Sequence, residues 1–316
     1  MGGCLIMVQA TNSNKKNSNK KGFWANVKEI TVLLLIVYLV RTFGFGLYVV
    51  PTPSMETTML VGERFFADKF TVLFTDIKRG DIVSINEPLF KYSSNKLIKL
   101  FQKYVWGPSN WTKRVVGIPG DEIKGVVEDG KPVIYINGKK INEPYLNKYP
   151  LMQVWQKDLK DLQKIIQKNP SVNLGIYLSL KSYDPSKPFD KQPFHQIDKN
   201  RIFGDPTTGS PVMFEPGTPT KEKGKKIIRG ESYWGTGDDF YVKLGKDEYW
   251  LMGDNRLGSS DARVFGPIKG ETIHGRILFR VFSIDTDCSW LPIDFIKNPI
   301  SFLRRIRWHR LFQRVK

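Results

Sequence analysis

The chain has 316 residues, with 49 lysines and arginines against 31 acidic residues and a formal net charge of +18 at pH 7. Its 41% of hydrophobic and 25% of charged residues are ordinary for a globular protein, which excludes wholesale disorder and a membrane protein with many spans. Residues 1–28 hold five lysines, residues 297–316 hold seven basic residues, and neither segment holds an acid. The body between these ends carries only +6, so the composition does not indicate a nucleic-acid partner.

The N-terminal part of the chain predicts a basic leader and one membrane anchor. Residues 1–23 are polar and lysine-rich over most of their length, and we expect a disordered cytoplasmic leader. The stretch from Ile30 to Val50 has 21 residues and one charge, Arg41. As a helix it would extend about 32 Å, enough to cross a hydrocarbon core of about 30 Å. We therefore predict a transmembrane anchor over residues 24–50, with the upstream lysines holding the N-terminus in the cytoplasm.

A cleaved signal peptide is the alternative interpretation of this apolar stretch. Such a peptide ends in a small-x-small cleavage site. The residues that precede Pro51 are instead bulky, Leu-Tyr-Val-Val. This favours a retained anchor.

The body that follows is predicted to be mainly β. Short apolar runs and runs with period-two alternation recur between turn residues, as in RFFADKF, GDIVSIN, KRVVGIPGDEI, VIYINGKKI, EYWLMGDN and GRILFRVFSI. Asn137-Gly138 within one of these runs is typical of the type I′ turn of a β-hairpin.

A long insertion interrupts this β-rich body. Amphipathic patterns predict two helices, one before the insertion at residues 94–104 and one within it at residues 154–168. Residues 170–219 of the insertion contain eight of the 19 prolines. We predict a large α/β or irregular insertion over residues 146–247, between a first part of the core at 51–145 and a second part at 248–288.

Three short segments contain the residues that could carry chemistry, PTPSMETTMLVGE (51–63), TKRVVGIPGDEI (112–123) and GDNRLGSSDARVFGPI (253–268). Ser54 could be a nucleophile if a base removes its proton. His274 is one candidate base, and Lys113, which precedes an apolar run, is another. A lysine base needs its pKa lowered from about 10.4 by about three units, or about 4 kcal/mol of desolvation. From the residues alone, a Ser/His pair, a Ser/Lys pair and purely structural roles all remain open.

Taken together and in this order, the three segments resemble the signature of the bacterial type I (leader) signal peptidases. The resemblance consists of Ser-Met, then Lys-Arg-Val-Val-Gly-x-Pro-Gly-Asp, then Gly-Asp-Asn-Arg-x-x-Ser-x-Asp-x-Arg-x-x-Gly. It covers the anchor and about residues 24–88, 110–145 and 248–285. It implies a signal-peptidase-type β-rich catalytic domain, and a serine endopeptidase that removes signal peptides from secreted preproteins without a metal or cofactor.

The resemblance also implies roles for individual residues. Ser54 matches the nucleophile and Lys113 the general base of a Ser/Lys dyad. Thr52 matches a hydroxyl of the oxyanion hole, and Ser259 matches a serine that orients the lysine. Four residues are expected to line the pocket for the small side chain before the cut: Val50, Met55, Met59 and Trp111. Four more are expected to support the site as two ion pairs: Arg114 with Asp254, and Asp261 with Arg263.

The sequence departs from the family pattern at three positions. Thr57 stands where the family has proline, Glu63 where it has aspartate, and Ala262 where it often has serine. Two other functions stay open. A membrane-tethered Ser/Lys self-cleaving regulator would need an internal cleavage site, and no Ala-Gly-type site is evident in a linker. A catalytically lapsed binding protein is supported only by Thr57 and Ala262.

The C-terminal tail, residues 289–316, mixes arginines with aromatic and aliphatic residues that do not form a clean amphipathic face. Our hypothesis is that it binds the anionic outer face of the same membrane through Trp308 and Phe312. A locally packed or frayed tail is the alternative. With the anchor, this predicts an enzyme of the bacterial cytoplasmic membrane, with its catalytic domain outside the cytoplasm and with preproteins and the lipid bilayer as partners.

Overall fold

The computed structural model describes residues 13–129, 131–188, 191–192, 198–204, 207–214, 238–286 and 290–316. The chain divides into two compact units, one ending at Phe45 and the other formed by Gly46–Lys316. Its helices are α1 Ser13–Leu39, α2 Lys96–Tyr104, α3 Leu159–Lys168, α4 Ala262–Phe265, α5 Leu291–Lys297 and α6 Pro299–Arg305. Its strands are β1 Phe45–Val49, β2 Arg64–Asp68, β3 Ile82–Asn86, β4 Asn110–Gly117, β5 Glu122–Glu128, β6 Lys131–Ile136, β7 Lys139–Lys140, β8 Leu151–Trp155, β9 Leu178–Ser182, β10 Met213–Phe214, β11 Phe240–Lys243, β12 Glu248–Met252, β13 Ile268–Lys269, β14 Ile273–Phe282 and β15 Gln313–Arg314.

The larger unit is mainly β, as the sequence predicts. The strands form an eight-stranded sheet in the order β1-β2-β14-β3-β4-β12-β13, with β15 added to β14. A four-stranded sheet has the order β11-β5-β6-β7, and a three-stranded sheet has the order β10-β8-β9. The β6–β7 turn has positive φ at both Asn137 (51°) and Gly138 (77°), which a type I′ turn requires.

Residues 24–50, predicted as a transmembrane helix, do not form one continuous helix. Helix α1 ends at Leu39, a π-helical turn follows, and Phe45–Val49 is strand β1, hydrogen-bonded to β2. The residues of β1 alternate between exposed and half-buried, so their period of two suits an edge strand rather than a helix. Within the described residues, none of the helices combines the length and the apolar character that a membrane crossing needs.

The leader is only partly within the described residues. Residues 1–12 lie outside them, and α1 begins at Ser13, so residues 13–23 are helical rather than disordered. Isolated helices are marginal in water, but here the lysine-rich segment continues directly into the apolar part of one long helix. Helix propagation from that apolar part explains the difference from the prediction.

The predicted insertion contains its own small sheet and ends earlier than expected. Strands β8, β9 and β10 pair with one another, and α3 lies between β8 and β9. Strand β11 belongs to the body instead, because Phe240–Lys243 pairs with β5. Residues 189–190, 193–197, 205–206 and 215–237 of the predicted insertion lie outside the described residues.

The C-terminal tail packs against the body, in agreement with the locally packed alternative. Phe302 and Ile306 join Ile284 in a small buried apolar cluster, and β15 extends the sheet beside β14. Arg310 Nε donates to Glu63 Oε1 at 2.6 Å, and Arg307 pairs with an aspartate of the body. These internal partners hold two arginines of the tail against the body, while Trp308 and Phe312, the residues of the membrane hypothesis, remain exposed.

Candidate active site

The three motif segments meet at the loop that begins with Gly253. Arg114, on β4, donates from Nε and Nη2 to the two carboxylate oxygens of Asp254 at 2.8 and 2.7 Å. Thr58, from the first segment, donates its hydroxyl to the same carboxylate at 2.5 Å. Asp254 is completely buried. One carboxylate therefore joins all three segments.

Ser54 lies in a 3₁₀ turn, Pro53–Met55, after the extended residue Thr52. The main-chain amide of Asn255 donates to the Ser54 carbonyl oxygen at 3.1 Å, and its side-chain amide donates to the Pro53 carbonyl oxygen at 3.0 Å. The loop thus fixes the main chain of the turn. Ser54 is half-buried and Thr52 is exposed, so both are accessible from solvent.

Gly253 is where Ser259 approaches the Ser54 turn. A Cβ atom added to Gly253 would lie 2.2 Å from the Ser259 hydroxyl oxygen and 2.5 Å from the Ser54 carbonyl oxygen. No real side chain tolerates such contacts, so only glycine fits. Ser259, which the resemblance assigns to orienting the lysine, is therefore packed directly beside the Ser54 turn, and it is completely buried.

Lys113 lies within β4, opposite Val83 of β3, and is only 3% exposed. It forms no ion pair with any residue that the structure describes. Burial lowers the pKa of its ammonium group to about 8, with the positive charge of Arg263 adding to the effect and the negative charges of Asp261 and Asp254 opposing it. At neutral pH about a tenth of the molecules therefore carry Lys113 as the neutral amine, the form that can accept a proton.

The second expected pair, Asp261 with Arg263, is also present beneath the loop. Arg263 donates from Nε and Nη2 to the two Asp261 oxygens at 2.8 and 2.9 Å, and the Gly253 amide donates to Asp261 at 3.0 Å. Burial alone would raise the pKa of Asp261, but the charge and hydrogen bonds of Arg263 hold it below its usual value. The carboxylate thus stays negative near the Lys113 ammonium.

The four residues expected to line the substrate pocket fall in two apolar clusters. Val50, Met55 and Met59 are buried in one cluster together with residues of β2, β3 and β14. Trp111 packs against the other cluster, with its ring centroid 6.2 Å from that of Phe265 and 5.7 Å from the Lys113 ammonium nitrogen. Met55 and Met59 have 1% and 0% exposure, so both serve the core of the body.

His274, the other candidate base, is bound to a different serine. It lies in β14, and its Nε2 is 3.2 Å from the hydroxyl oxygen of Ser84. Burial, together with the positive charge of Lys69, lowers the pKa of His274 to about 4. Its ring is therefore neutral near pH 7. Within the described ranges, no group of three or more His, Cys, Asp or Glu side chains could hold a metal ion.

The three departures from the family pattern have defined environments. Thr57 follows a cis peptide bond, and its hydroxyl donates to the Tyr145 carbonyl oxygen at 3.5 Å. Glu63 is completely buried and binds Arg280 and Arg310. Ala262 is the first residue of α4 and is likewise buried. None of the three side chains occupies the place of a reacting group.

The insertion also contacts the site, which the sequence did not reveal. Asn147 donates to the Ser182 hydroxyl oxygen at 2.7 Å, and the Asn255 side-chain amide donates to the same oxygen at 3.4 Å. The main-chain amide of Asn147 donates to the Asp254 carbonyl oxygen at 2.9 Å. Asn255 could have been found from its place in the Gly-Asp-Asn motif. Ser182, at the end of β9, carries no such signal.

Comparisons with known proteins bear on this arrangement. A family model described as signal peptidase, peptidase S26, matches residues 23–282. Signal peptidase I P of Bacillus subtilis subsp. natto is 33% identical over 250 residues, 79% of this chain and 83% of that protein. Signal peptidase I T of Bacillus subtilis strain 168 is 34% identical over 262 residues, 81% of this chain and 85% of that protein. A crystal structure of a signal peptidase I from Enterococcus faecalis, 16% identical, covers 64% of this chain and 97% of its own, but its TM-score of 0.27 supports no argument about the fold.

Proposed function

Because the chain belongs to the signal peptidase family, peptidase S26, we propose that it cleaves preproteins with Ser54 as the nucleophile and Lys113 as the general base. It is a bacterial serine peptidase that removes signal peptides from preproteins. The observation that carries the residue assignment is the buried lysine. Lys113 has a pKa of about 8. The next residue on the same strand, Arg114, binds Asp254 in the loop that also binds the Ser54 carbonyl oxygen.

In the proposed reaction, the neutral Lys113 amine accepts the Ser54 hydroxyl proton as Oγ attacks the scissile carbonyl carbon. The Ser54 amide and the Thr52 hydroxyl stabilise the oxyanion of the tetrahedral intermediate. The Lys113 ammonium then returns the proton to the leaving amine, which leaves an acyl-enzyme ester at Ser54. Lys113 deprotonates a water molecule that hydrolyses this ester and regenerates the hydroxyl. Ser259 orients the lysine side chain throughout.

The edge of the large sheet offers a place for the substrate. Strand β1 is the last strand on its side of the sheet, and the chain runs from β1 directly towards Thr52 and Ser54. An extended peptide can add to such an edge through main-chain hydrogen bonds. We place the preprotein there, so that the peptide bond to be cut reaches the Ser54 hydroxyl.

The test of this assignment is cleavage of a purified preprotein by the full-length protein. We expect the Ser54→Ala and Lys113→Ala variants to lose activity by at least a thousandfold. We expect the His274→Gln variant to keep activity within about threefold, since that ring binds Ser84. Full activity of either dyad variant, or loss of activity in the His274 variant alone, would overturn the assignment.

We also propose that the enzyme is attached to the bacterial cytoplasmic membrane. The apolar residues from Ile30 to Val40 are 37–63% exposed, a contiguous apolar surface that water solvates poorly. Helix α2 and the residues that follow it form a second exposed apolar surface, in which Leu97 and Trp106 are 78% and 79% exposed. The helix carries three lysines and no acid. Lysines suit an anionic lipid surface, and tryptophan suits its headgroup region.

The proposed topology has the leader in the cytoplasm and the catalytic body outside. The run from Ile30 to Val40 has 11 residues, fewer than the roughly 20 that a straight crossing needs. Attachment and crossing are therefore tested separately. Carbonate extraction of membranes reports attachment, and protease added outside intact spheroplasts reports crossing, because it digests the body only if the body is outside. A body that resists the protease would contradict the topology.

The two alternative functions are not favoured. Two relatives that match about four-fifths of the chain, described above, are signal peptidases. A lapsed binding protein would be free to lose its buried lysine and its paired charges, yet both ion pairs and the lysine are present.

A further inference from the structure

Ser182, the last residue of strand β9, lies where the insertion meets the loop that begins with Gly253. Its hydroxyl oxygen accepts from the side-chain amide of Asn147 at 2.7 Å and from that of Asn255 at 3.4 Å. A hydroxyl oxygen has two acceptor sites, so these two amides use both. Ser182 and Asn255 are each only 2% exposed, so water cannot readily replace either hydrogen bond.

The side chain of Asn255 is thereby held between the insertion and the Ser54 turn. Its amide nitrogen has two N–H groups, and besides Ser182 it donates to the Pro53 carbonyl oxygen at 3.0 Å. Because a carbonyl oxygen only accepts, the nitrogen end of this side chain must face Pro53. The hydrogen bond to Ser182 uses the second N–H and fixes the same end from the other side.

Asn147, the other partner of Ser182, is itself fixed at both ends. Its side-chain oxygen accepts from the main-chain amide of Tyr149 at 2.9 Å, and its own main-chain amide donates to the Asp254 carbonyl oxygen at 2.9 Å. Asp254 precedes Asn255 in the chain. Hydrogen bonds and chain therefore close a ring through Ser182, Asn147, Asp254 and Asn255, and a closed ring holds its members more firmly than one isolated contact.

The place of the Ser182 hydroxyl is set by the sheet of the insertion. Ser182 pairs with Leu151 of β8, which is completely buried. Strand pairing fixes the main chain at this point, and serine has only one side-chain torsion between its main chain and its oxygen. The hydroxyl oxygen is therefore presented to the loop by the fold of the insertion.

From these contacts we infer that Ser182 is a positioning residue for peptide cleavage, which orients the Asn255 amide and through it the turn that holds the Ser54 hydroxyl. The inference rests on the proposed function. Ser182 acts through Asn255 rather than on the substrate, and small displacements of a nucleophile slow the chemical step strongly. The insertion thus contributes to turnover itself.

The experiment measures kcat and KM of the full-length protein on one preprotein. We expect Ser182→Ala to lower kcat about three- to tenfold, less than Asn255→Ala does, because the hydrogen bond between Asn255 and Pro53 remains. KM should stay within twofold. The midpoint of the pH profile should also stay in place, because the pKa of Lys113, about 8, is set by other groups.

Two further substitutions separate the hydrogen bonds from packing and from the strand. Ser182→Cys nearly keeps the size of the side chain, but sulfur accepts hydrogen bonds weakly, so this variant should be as slow as Ser182→Ala. It carries the test if Ser182→Ala does not fold. Ser179→Ala is the matched control on the same strand, since the Ser179 hydroxyl donates to the Val154 carbonyl oxygen within the insertion at 3.2 Å. Its kcat should stay within about 1.5-fold of the wild type.

The double variant Ser182→Ala/Asn255→Ala distinguishes positioning from a general structural role. If Ser182 acts through Asn255, the double variant should have the kcat of Asn255→Ala within twofold. If the two effects multiply instead, the residues act independently and the inference is wrong.

The inference and the proposed function fail in different ways. Full kcat in Ser182→Cys contradicts the inference, and it leaves the proposed function intact as long as Ser54→Ala is inactive. Full activity of Ser54→Ala contradicts both. Circular dichroism at the assay temperature confirms that each variant compared is folded.

Discussion

The guanidinium group of Arg114 and the carboxylate of Asp254 form a buried, two-hydrogen-bond ion pair, with both side chains at most 3% exposed. Arg114 follows Lys113 on β4, and Asp254 precedes the residue that binds the Ser54 carbonyl. Arg114 also donates to the Gly80 carbonyl oxygen at 2.9 Å. The pair therefore fixes the spacing between the strand of the proposed base and the turn of the proposed nucleophile.

Substituting one partner of this pair should be costly. In Asp254→Asn the buried guanidinium keeps its charge but loses its counter-charge, for which we expect a loss of about 3–5 kcal/mol in the free energy of unfolding. Urea denaturation of the purified protein measures it. The control is Glu128→Gln, which removes the exposed pair with Lys140 and should cost less than about 1 kcal/mol. Equal losses of unfolding free energy in the two variants would show that the buried pair contributes no more to stability than the exposed one.

The side chain of Asn255 should matter for rate more than for stability. Asn255→Ala removes the hydrogen bonds to the Pro53 carbonyl and to Ser182, so the turn of the proposed nucleophile, Ser54, gains freedom. Since small displacements of reacting groups slow catalysis, we expect kcat to fall by about 10- to 100-fold. The pH dependence should not change, because the surroundings of Lys113 are untouched. Asn169→Ala, at an exposed asparagine, serves as the control, and an equal fall in kcat there would refute the positioning role.

Sequence patterns identified the strands and the motif segments but not the contacts between them. Strands β3 and β14 could be predicted because their apolar residues are continuous or alternate within one short run. Strand β1 could not, because the same apolar residues also fit a helix, and pairing with β2 decided the outcome. Period and composition are local quantities, whereas pairing is not.

Some residues of the site could be identified from sequence motifs, and others could not. Ser54, Lys113 and their supporting ion pairs lie in motifs that the sequence displays directly. Ser182 became part of the site only because the insertion packs against the loop. The sequence left the packing of the tail open for a related reason, since the partner of Arg310 is Glu63, almost 250 residues away in the chain.

The tail should contribute to stability through that contact. Arg310 donates to the Glu63 carboxylate and to the Thr58 carbonyl oxygen, so Arg310→Met should lower the free energy of unfolding by about 1.5–3 kcal/mol. Arg304→Met is the control, because Arg304 is exposed. Denaturant unfolding of both variants gives the comparison. If both variants have the same free energy of unfolding, the tail does not stabilise the segment after Ser54.

The stabilising effect of Glu63 should also depend on pH. Burial alone would raise the pKa of Glu63, but the hydrogen bond and charge of Arg310, with the charge of Arg280, hold it below its usual value. Its contribution is therefore complete above the unfolded-state pKa and is lost as the pH falls through the lower, folded-state value. Glu63→Gln should remove this acid-dependent part of the unfolding curve. A variant whose acid dependence matches the wild type would contradict the assignment.

The activity should follow the titration of Lys113. The proposed base acts as the neutral amine, and its pKa is about 8, so kcat/KM should rise about tenfold per pH unit below pH 8 and level off above it. Initial rates on one preprotein between pH 5 and 10 measure this profile. A rise centred near pH 4 would point instead to His274.

The same buried lysine should lower the stability of the protein. Lys113 has a pKa of about 8 in the folded chain against 10.5 for an ordinary lysine, so folding is opposed below pH 8 and the opposition fades as the pH rises towards 10.5. An inactive Lys113→Met variant should therefore be more stable than the wild type by about 3 kcal/mol at pH 7. At pH 10 the gain should shrink to about 1 kcal/mol.

Urea denaturation at pH 7 and pH 10 measures the free energy of unfolding that this prediction concerns. Lys124→Met is the matched control, because Lys124 is an exposed lysine on β5 and its replacement should show no comparable gain at either pH. A Lys113→Met variant that is no more stable than the wild type at pH 7 would mean that the ammonium is adequately solvated where it lies. The desolvation that makes Lys113 a base near neutral pH would then be absent, and the proposed mechanism would lose its physical cause.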